Sequence, residues 1–119
     1  MLHRKRLRAA PAERVCAHGG VGQIWFERLM HSAEGAGGCH FIDHAILPPG
    51  VSIGRHKHTE NEEEFYLILS GRGRMWQDGE AFEVEAGELV RNRPGGTHGL
   101  ENIGDVPLEI FVFEVGVPR

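Results

Sequence analysis

Cysteine is nearly absent from this chain. Cys16 and Cys39 are the only two among 119 residues. They lie far apart, and no CxxC pair occurs. A thiolate zinc site and a thioredoxin-like redox pair are therefore not expected. Two reduced thiols in a cytosolic protein are the simpler expectation. No apolar run approaches the ~20 residues that a membrane helix needs. An excess of positive charge is also missing. The formal net charge is −4, and a nucleic-acid partner would favour a basic surface instead. Arg4, Lys5, Arg6 and Arg8 make a short basic stretch. No apolar segment follows it, so it reads as a solvated terminus rather than a secretory leader. There is no internal repeat, no low-complexity tract and no convincing helical period.

Glycine, by contrast, is abundant. Seventeen glycines are roughly twice the usual share, and they imply many tight turns between short strands. Residues 1–22 read as an irregular arm, broken by Pro11 and closed by Gly19, Gly20 and Gly22. Apolar and polar residues then alternate over 23–30 and 39–47, the pattern of half-buried strands. Residues 32–38 are small and read as a loop. Further extended segments are expected at 51–54, 64–70, 74–77, 80–85, 88–92, 97–103 and 107–115. The run at 64–70 is apolar almost throughout, as expected for a buried strand. Asp78-Gly79 is a hairpin turn signal. About nine short strands at this spacing predict an all-β sandwich or barrel. The length suits one domain, here residues 23–119 after the arm.

The chemistry concentrates at His56-Lys57-His58. Strand side chains alternate, so two histidines one residue apart point the same way. Imidazole is the commonest protein ligand for transition metals, and a carboxylate from the next strand would complete three ligands at one spot. His98 lies in the glycine-rich stretch Pro94-Gly95-Gly96-Thr97-His98-Gly99, where strand return could bring it alongside.

Two ordered motifs contain these residues. The first runs Gly50, five residues, His56, Lys57, His58, then Glu64, six residues, Gly71. The second runs Gly87, five residues, Arg93, Pro94, Gly95, two residues, His98, three residues, Asn102. Together, at 50–71 and 87–102, they resemble the paired motifs of the cupin superfamily in a small single-domain form. Two departures stand out. Five residues separate His58 from Glu64, where the family has three or four. Glu62 shares the parity of Glu64 and is the alternative carboxylate, while Glu63 should face away. Arg93 also occupies the motif's proline slot, with Pro94 one place later.

The resemblance implies a cupin-type double-stranded β-helix, or jelly-roll barrel. It implies a divalent transition metal held by His56, His58, Glu64 and His98. Such nitrogen and oxygen ligands suit Fe, Mn, Ni, Zn or Cu without selecting among them. Four protein ligands on an octahedral ion would leave two positions for water, a small-molecule ligand or dioxygen. The implied activity is that of a metal-dependent enzyme, whether dioxygenase, isomerase or decarboxylase. The alternative is a non-catalytic module that binds or senses a small ligand. A homodimer is implied as well, with the strand at 23–30 covering an edge of the partner sheet. Tyr66, His40 and His44 are candidate pocket residues. Glu60, Glu62 and Glu63 make an acidic rim. His3, His18 and His31 show no partner spacing and receive no role.

Overall fold

Turn chemistry sets the strand ends. A computed structural model describes residues 2–9, 11–35 and 37–118. Positions 1, 10, 36 and 119, which fall in the expected arm, loop and domain end, lie outside the described residues. Ten strands are present among the described residues: β1 (Glu13–Val15), β2 (Ile24–His31), β3 (Cys39–Leu47), β4 (Ser52–Lys57), β5 (Glu62–Ser70), β6 (Arg72–Gln77), β7 (Glu80–Glu85), β8 (Leu89–Asn92), β9 (Thr97–Asn102) and β10 (Leu108–Gly116). They form a six-stranded sheet, ordered β1-β2-β3-β10-β5-β8, and a four-stranded sheet, ordered β4-β9-β6-β7. Every pairing is antiparallel. This is the expected all-β architecture of the cupin barrel.

The core lies between the two inner faces. Leu47, Ile68, Met75, Leu100, Leu108 and Ile110 are almost wholly buried there, and they come from both sheets. Gly71 joins β5 to β6 at φ 86°, and a Cβ there would lie 2.5 Å from the Pro107 carbonyl oxygen. Only glycine meets both demands. Asp78 and Gly79 take φ of 50° and 86°, the paired left-handed geometry of a tight hairpin turn. Asn102, buried at the end of β9, donates to the carbonyls of Leu47 (2.9 Å) and Val106 (2.8 Å) and accepts from the Gly104 amide (2.9 Å). It clamps three segments that no strand ladder joins.

One expectation is corrected. The N-terminal arm is not wholly irregular, because β1 pairs with β2 and Ala17–Gly19 forms a 3-10 turn. That pairing places Ile24, Trp25 and Phe26 of β2 between β1 and β3. Glu64, Tyr66 and Ile68 are buried, whereas Phe65 and Leu67 are only half-buried on the outer side. A two-sheet sandwich covers one face of each sheet, so continuous apolarity along β5 has only one side to fill the core.

Candidate metal centre

The two sheets bring four donor side chains to one end of the barrel interior. β4 carries His56 directly opposite His98 of β9. His58 follows the last residue of β4, and β5 contributes Glu64 from the facing sheet. One ligand atom from each of these four lies within 4.8 Å of all the others. The His98 Nε2 is 2.9 Å from Glu64 Oε1, and the His58 Nε2 is 3.3 Å from Glu64 Oε2. The His56 Nδ1–H donates to the Gly54 carbonyl at 2.8 Å, which leaves its Nε2 free to act as a ligand. The cluster of three imidazoles and one carboxylate could hold a divalent metal, and the buried Nε2 of His58 has no hydrogen-bond partner. That nitrogen meets the Glu64 carboxylate at 3.3 Å as an ion pair without hydrogen-bond geometry, and a cation shared between the two would satisfy both.

The electrostatics of the metal-free site are polarised. Burial lowers the pKa of His56 to about 4, so it is a neutral donor. The Glu64 carboxylate raises His58 to about 9, against the opposing effect of burial. Burial pushes Glu64 upward, but contacts with His58 and His98 outweigh it and hold the carboxyl at about 2. Without a metal, His58 and Glu64 therefore form an ion pair inside the barrel.

The alternative glutamates take separate positions. Glu62 accepts from His58 Nδ1 at 3.1 Å, on the far side of the ring from Glu64. Glu114 of β10 lies 2.9 Å from the same Nδ1. Glu63 faces outward and pairs with Arg91. Glu64 is thus the carboxylate within the histidine cluster, while Glu62 and Glu114 lie behind His58.

A cavity of about 340 Å³ opens onto His56, His58 and Glu64. Its walls are largely apolar, with Ile24, Phe26, Phe41 and Val112 among them. Tyr66 also lines it, with its ring edge-on to His98 at 5.4 Å. Burial, with the Glu64 carboxylate beside it, pushes the Tyr66 hydroxyl well above its ordinary pKa, so it stays a neutral phenol. His44 is absent from the cavity and this expectation is corrected. Even-numbered positions of β3 face outward, and His44 meets Glu109 there at 2.6 Å. His40 does not line the cavity either. It reaches Glu114 at 2.9 Å beside the irregularity in the β3–β10 register. Arg93, in place of the motif proline, bonds Asp78, which also caps the Thr97 amide. The substitution therefore ties the turn before His98 to the β6–β7 hairpin.

Two contributors escaped the sequence reading. Glu114 continues the inward row of Ile110 and Val112 on β10, and a carboxylate in an apolar row was a legible signal. His18 stacks on His56 with centroids 3.5 Å apart and planes 9° apart. It comes from an aperiodic arm, where spacing carries no signal.

The profile of the cupin domain matches residues 43–114, more than half of the chain. The chain belongs to the cupin family. This cupin is 34% identical over 93 residues to an oxalate-binding protein of Thermotoga maritima, covering 78% of this chain and 76% of that one. It is 43% identical over 83 residues to an uncharacterised protein of Methanocaldococcus jannaschii, covering 70% of this chain and 66% of the relative. Among solved structures, a predicted oxalate decarboxylase of Thermotoga maritima superposes with a TM-score of 0.90 at 29% identity. That match covers 94% of this cupin and 97% of the other chain.

Proposed function

We propose that this cupin holds a divalent transition metal through His56, His58, Glu64 and His98 and binds a small carboxylate of the oxalate class on the metal's open side. The observation that carries this reading is the cavity whose apolar walls end on three of the four donors. A divalent ion with one carboxylate and three neutral imidazoles has a net charge of about +1, which suits an anion. The bound ion would supply Lewis acidity and an anchor for carboxylate oxygens. His56, His58, Glu64 and His98 fix its position, and the apolar walls exclude bulk water. The relatives named for oxalate support this choice of ligand.

Phosphorylated ligands fit less well. Lys57 is exposed, and Arg55 lies over the Trp76 ring at 4.8 Å rather than lining the cavity. Arg28 does line it, but its Nε and Nη2 donate to Asp43 at 2.8 and 3.0 Å. Arg28 is the one arginine or lysine among the described cavity residues, and its charge is already paired with Asp43.

The test is metal analysis of protein purified without chelator, followed by oxalate titration of the loaded and stripped forms. About one metal per chain and oxalate binding by the loaded form alone are expected. Metal below about 0.1 per chain, with none taken up on reconstitution, ends the proposal. Decarboxylation is a second reading, favoured by the TM-score of 0.90 to the predicted decarboxylase. Formate release from bound oxalate would support it, and intact retention would leave capture as the function.

We also propose a homodimer. The outer face of the six-stranded sheet carries half-exposed Phe65, Leu67, Phe111 and Phe113, with Trp25 41% exposed nearby. A second copy of this face is the occupant that would bury it by symmetry.

A further inference from the structure

His18 lies at the cavity wall on a segment of the N-terminal arm that is fastened to β4. The Ser52 hydroxyl accepts from the Val21 amide at 2.8 Å, and the Ser52 amide donates to the Val21 carbonyl at 2.9 Å. Gly54 admits the arm closely, since a Cβ there would overlap the His18 carbonyl oxygen. The same Gly54 carbonyl orients His56. His18 itself has φ 51° and ψ 39°. A left-handed conformation is unfavourable for a residue with a Cβ and persists where the surroundings impose it. Here the arm is pinned on both sides of the residue, and the result is an imidazole lying flat on His56.

The other polar groups lining the cavity are occupied. Arg28 and Asp43 are paired through two hydrogen bonds. His56, His58 and Glu64 belong to the donor cluster, and Tyr66 sits beside Glu64. Among the described cavity residues, His18 is the polar side chain outside that cluster without a hydrogen-bonding partner in the protein. It does not belong to the group of four converging donors. It stands one ring thickness from His56, at the side of the cluster that the cavity exposes.

We propose that His18 is a ligand-contacting residue, whose ring N–H donates a hydrogen bond to a carboxylate oxygen of an anion bound at the open side of the His56–His58–Glu64–His98 cluster. This inference rests on the reading of the cluster as a metal site for a small carboxylate. A purely structural role would need only the flat ring against His56. The two roles separate by substitution, because phenylalanine keeps the ring and loses the donor, whereas glutamine keeps a donor and loses the ring.

The test titrates oxalate into zinc-loaded full-length parent, H18F and H18Q proteins. H18F should hold zinc as the parent does and bind oxalate about tenfold more weakly, the size of one hydrogen bond to a charged group. H18Q should recover part of the loss. If the parent binds oxalate and H18F binds it equally well, the inference is overturned while the metal-site reading stands. If zinc-loaded parent binds no oxalate, both are overturned. Nitrogen NMR of the zinc-loaded parent needs no variant. Oxalate should shift the His18 ring resonances and leave those of His3 and His31 in place. An unmoved His18 signal at saturating oxalate overturns the contact even if H18F fails to fold.

Discussion

His58 touches three carboxylates: Glu64 at Nε2, and Glu62 and Glu114 at Nδ1. In metal-free protein these contacts make its proton part of the fold. Its pKa rises from the ordinary 6.5 to about 9. The stability this provides is complete below pH 6.5 and is lost as pH rises through 9. Glu64 is lowered from 4.5 to about 2, so its contribution is complete above pH 4.5 and is lost as pH falls through 2. His56, lowered from 6.5 to about 4, resists protonation in the folded state and therefore destabilises it as pH falls from 6.5 towards 4. The three signs combine to place maximum stability of the metal-free protein near pH 6.5. Urea midpoints of chelator-treated protein across pH 4–9 should peak there. His58→Gln should flatten the alkaline limb, and an unchanged limb would remove His58 as its source. The HxH parity was visible in the sequence, but the carboxylates behind His58 were not, since Glu114 arrives from a strand more than fifty residues later.

At the scale of elements, strand parity divides the glutamates. β5 turns Glu64 inward with Tyr66 and Ile68 and sends Glu63 out to Arg91. Counting back from Gly71 gave that parity, because a strand ending in a fixed turn has its register set. Parity alone could not separate Glu62 from Glu64. The position along β5 relative to β4 and β9 does so, and that offset is tertiary. Asn102 shows that a motif residue can serve the elements rather than the chemistry. Asn102→Ala removes the donor from the carbonyls of Leu47 and Val106. The expected loss is about 2 kcal/mol, read as a lower urea midpoint with metal content per folded chain unchanged. Loss of metal before loss of fold would assign Asn102 to the site instead.

For the whole molecule, the two sheets are unequal in what they leave uncovered. Their inner faces bury one shared core. The outer face of the larger sheet keeps Phe65 and Phe113 stacked at 5.5 Å and only half-buried. A dimer formed across this face should scatter light as twice the 13.2 kDa chain mass. Phe65→Glu with Phe113→Glu should return it to one chain mass while leaving metal content intact. A parent protein of single-chain mass at micromolar concentration would withdraw the dimer. The β2 strand, which the sequence offered as a cover for a partner's edge, is paired with β1 at Ile24, Trp25 and Phe26. The strand β1 has three residues, too few for an alternation to reveal.

The sequence by itself determined most of the strands, their turns and the candidate donors, with Glu62 left open beside Glu64. Period-two alternation and positive-φ glycines are local properties, and the motif spacings place His56, His58, Glu64 and His98 in order along the chain. Only the tertiary structure decided which side of each strand faces the cavity, and so sent Tyr66 inward and His44 outward. It also decided which groups surround the donors. Glu62 and Glu114 stand behind His58, and His18 lies flat on His56, because sheet order and the close approach at Gly54 bring together residues remote in sequence. The physical reason is that local spacing fixes direction within a strand, whereas the neighbours of a site are set by how strands pair and how closely backbones approach.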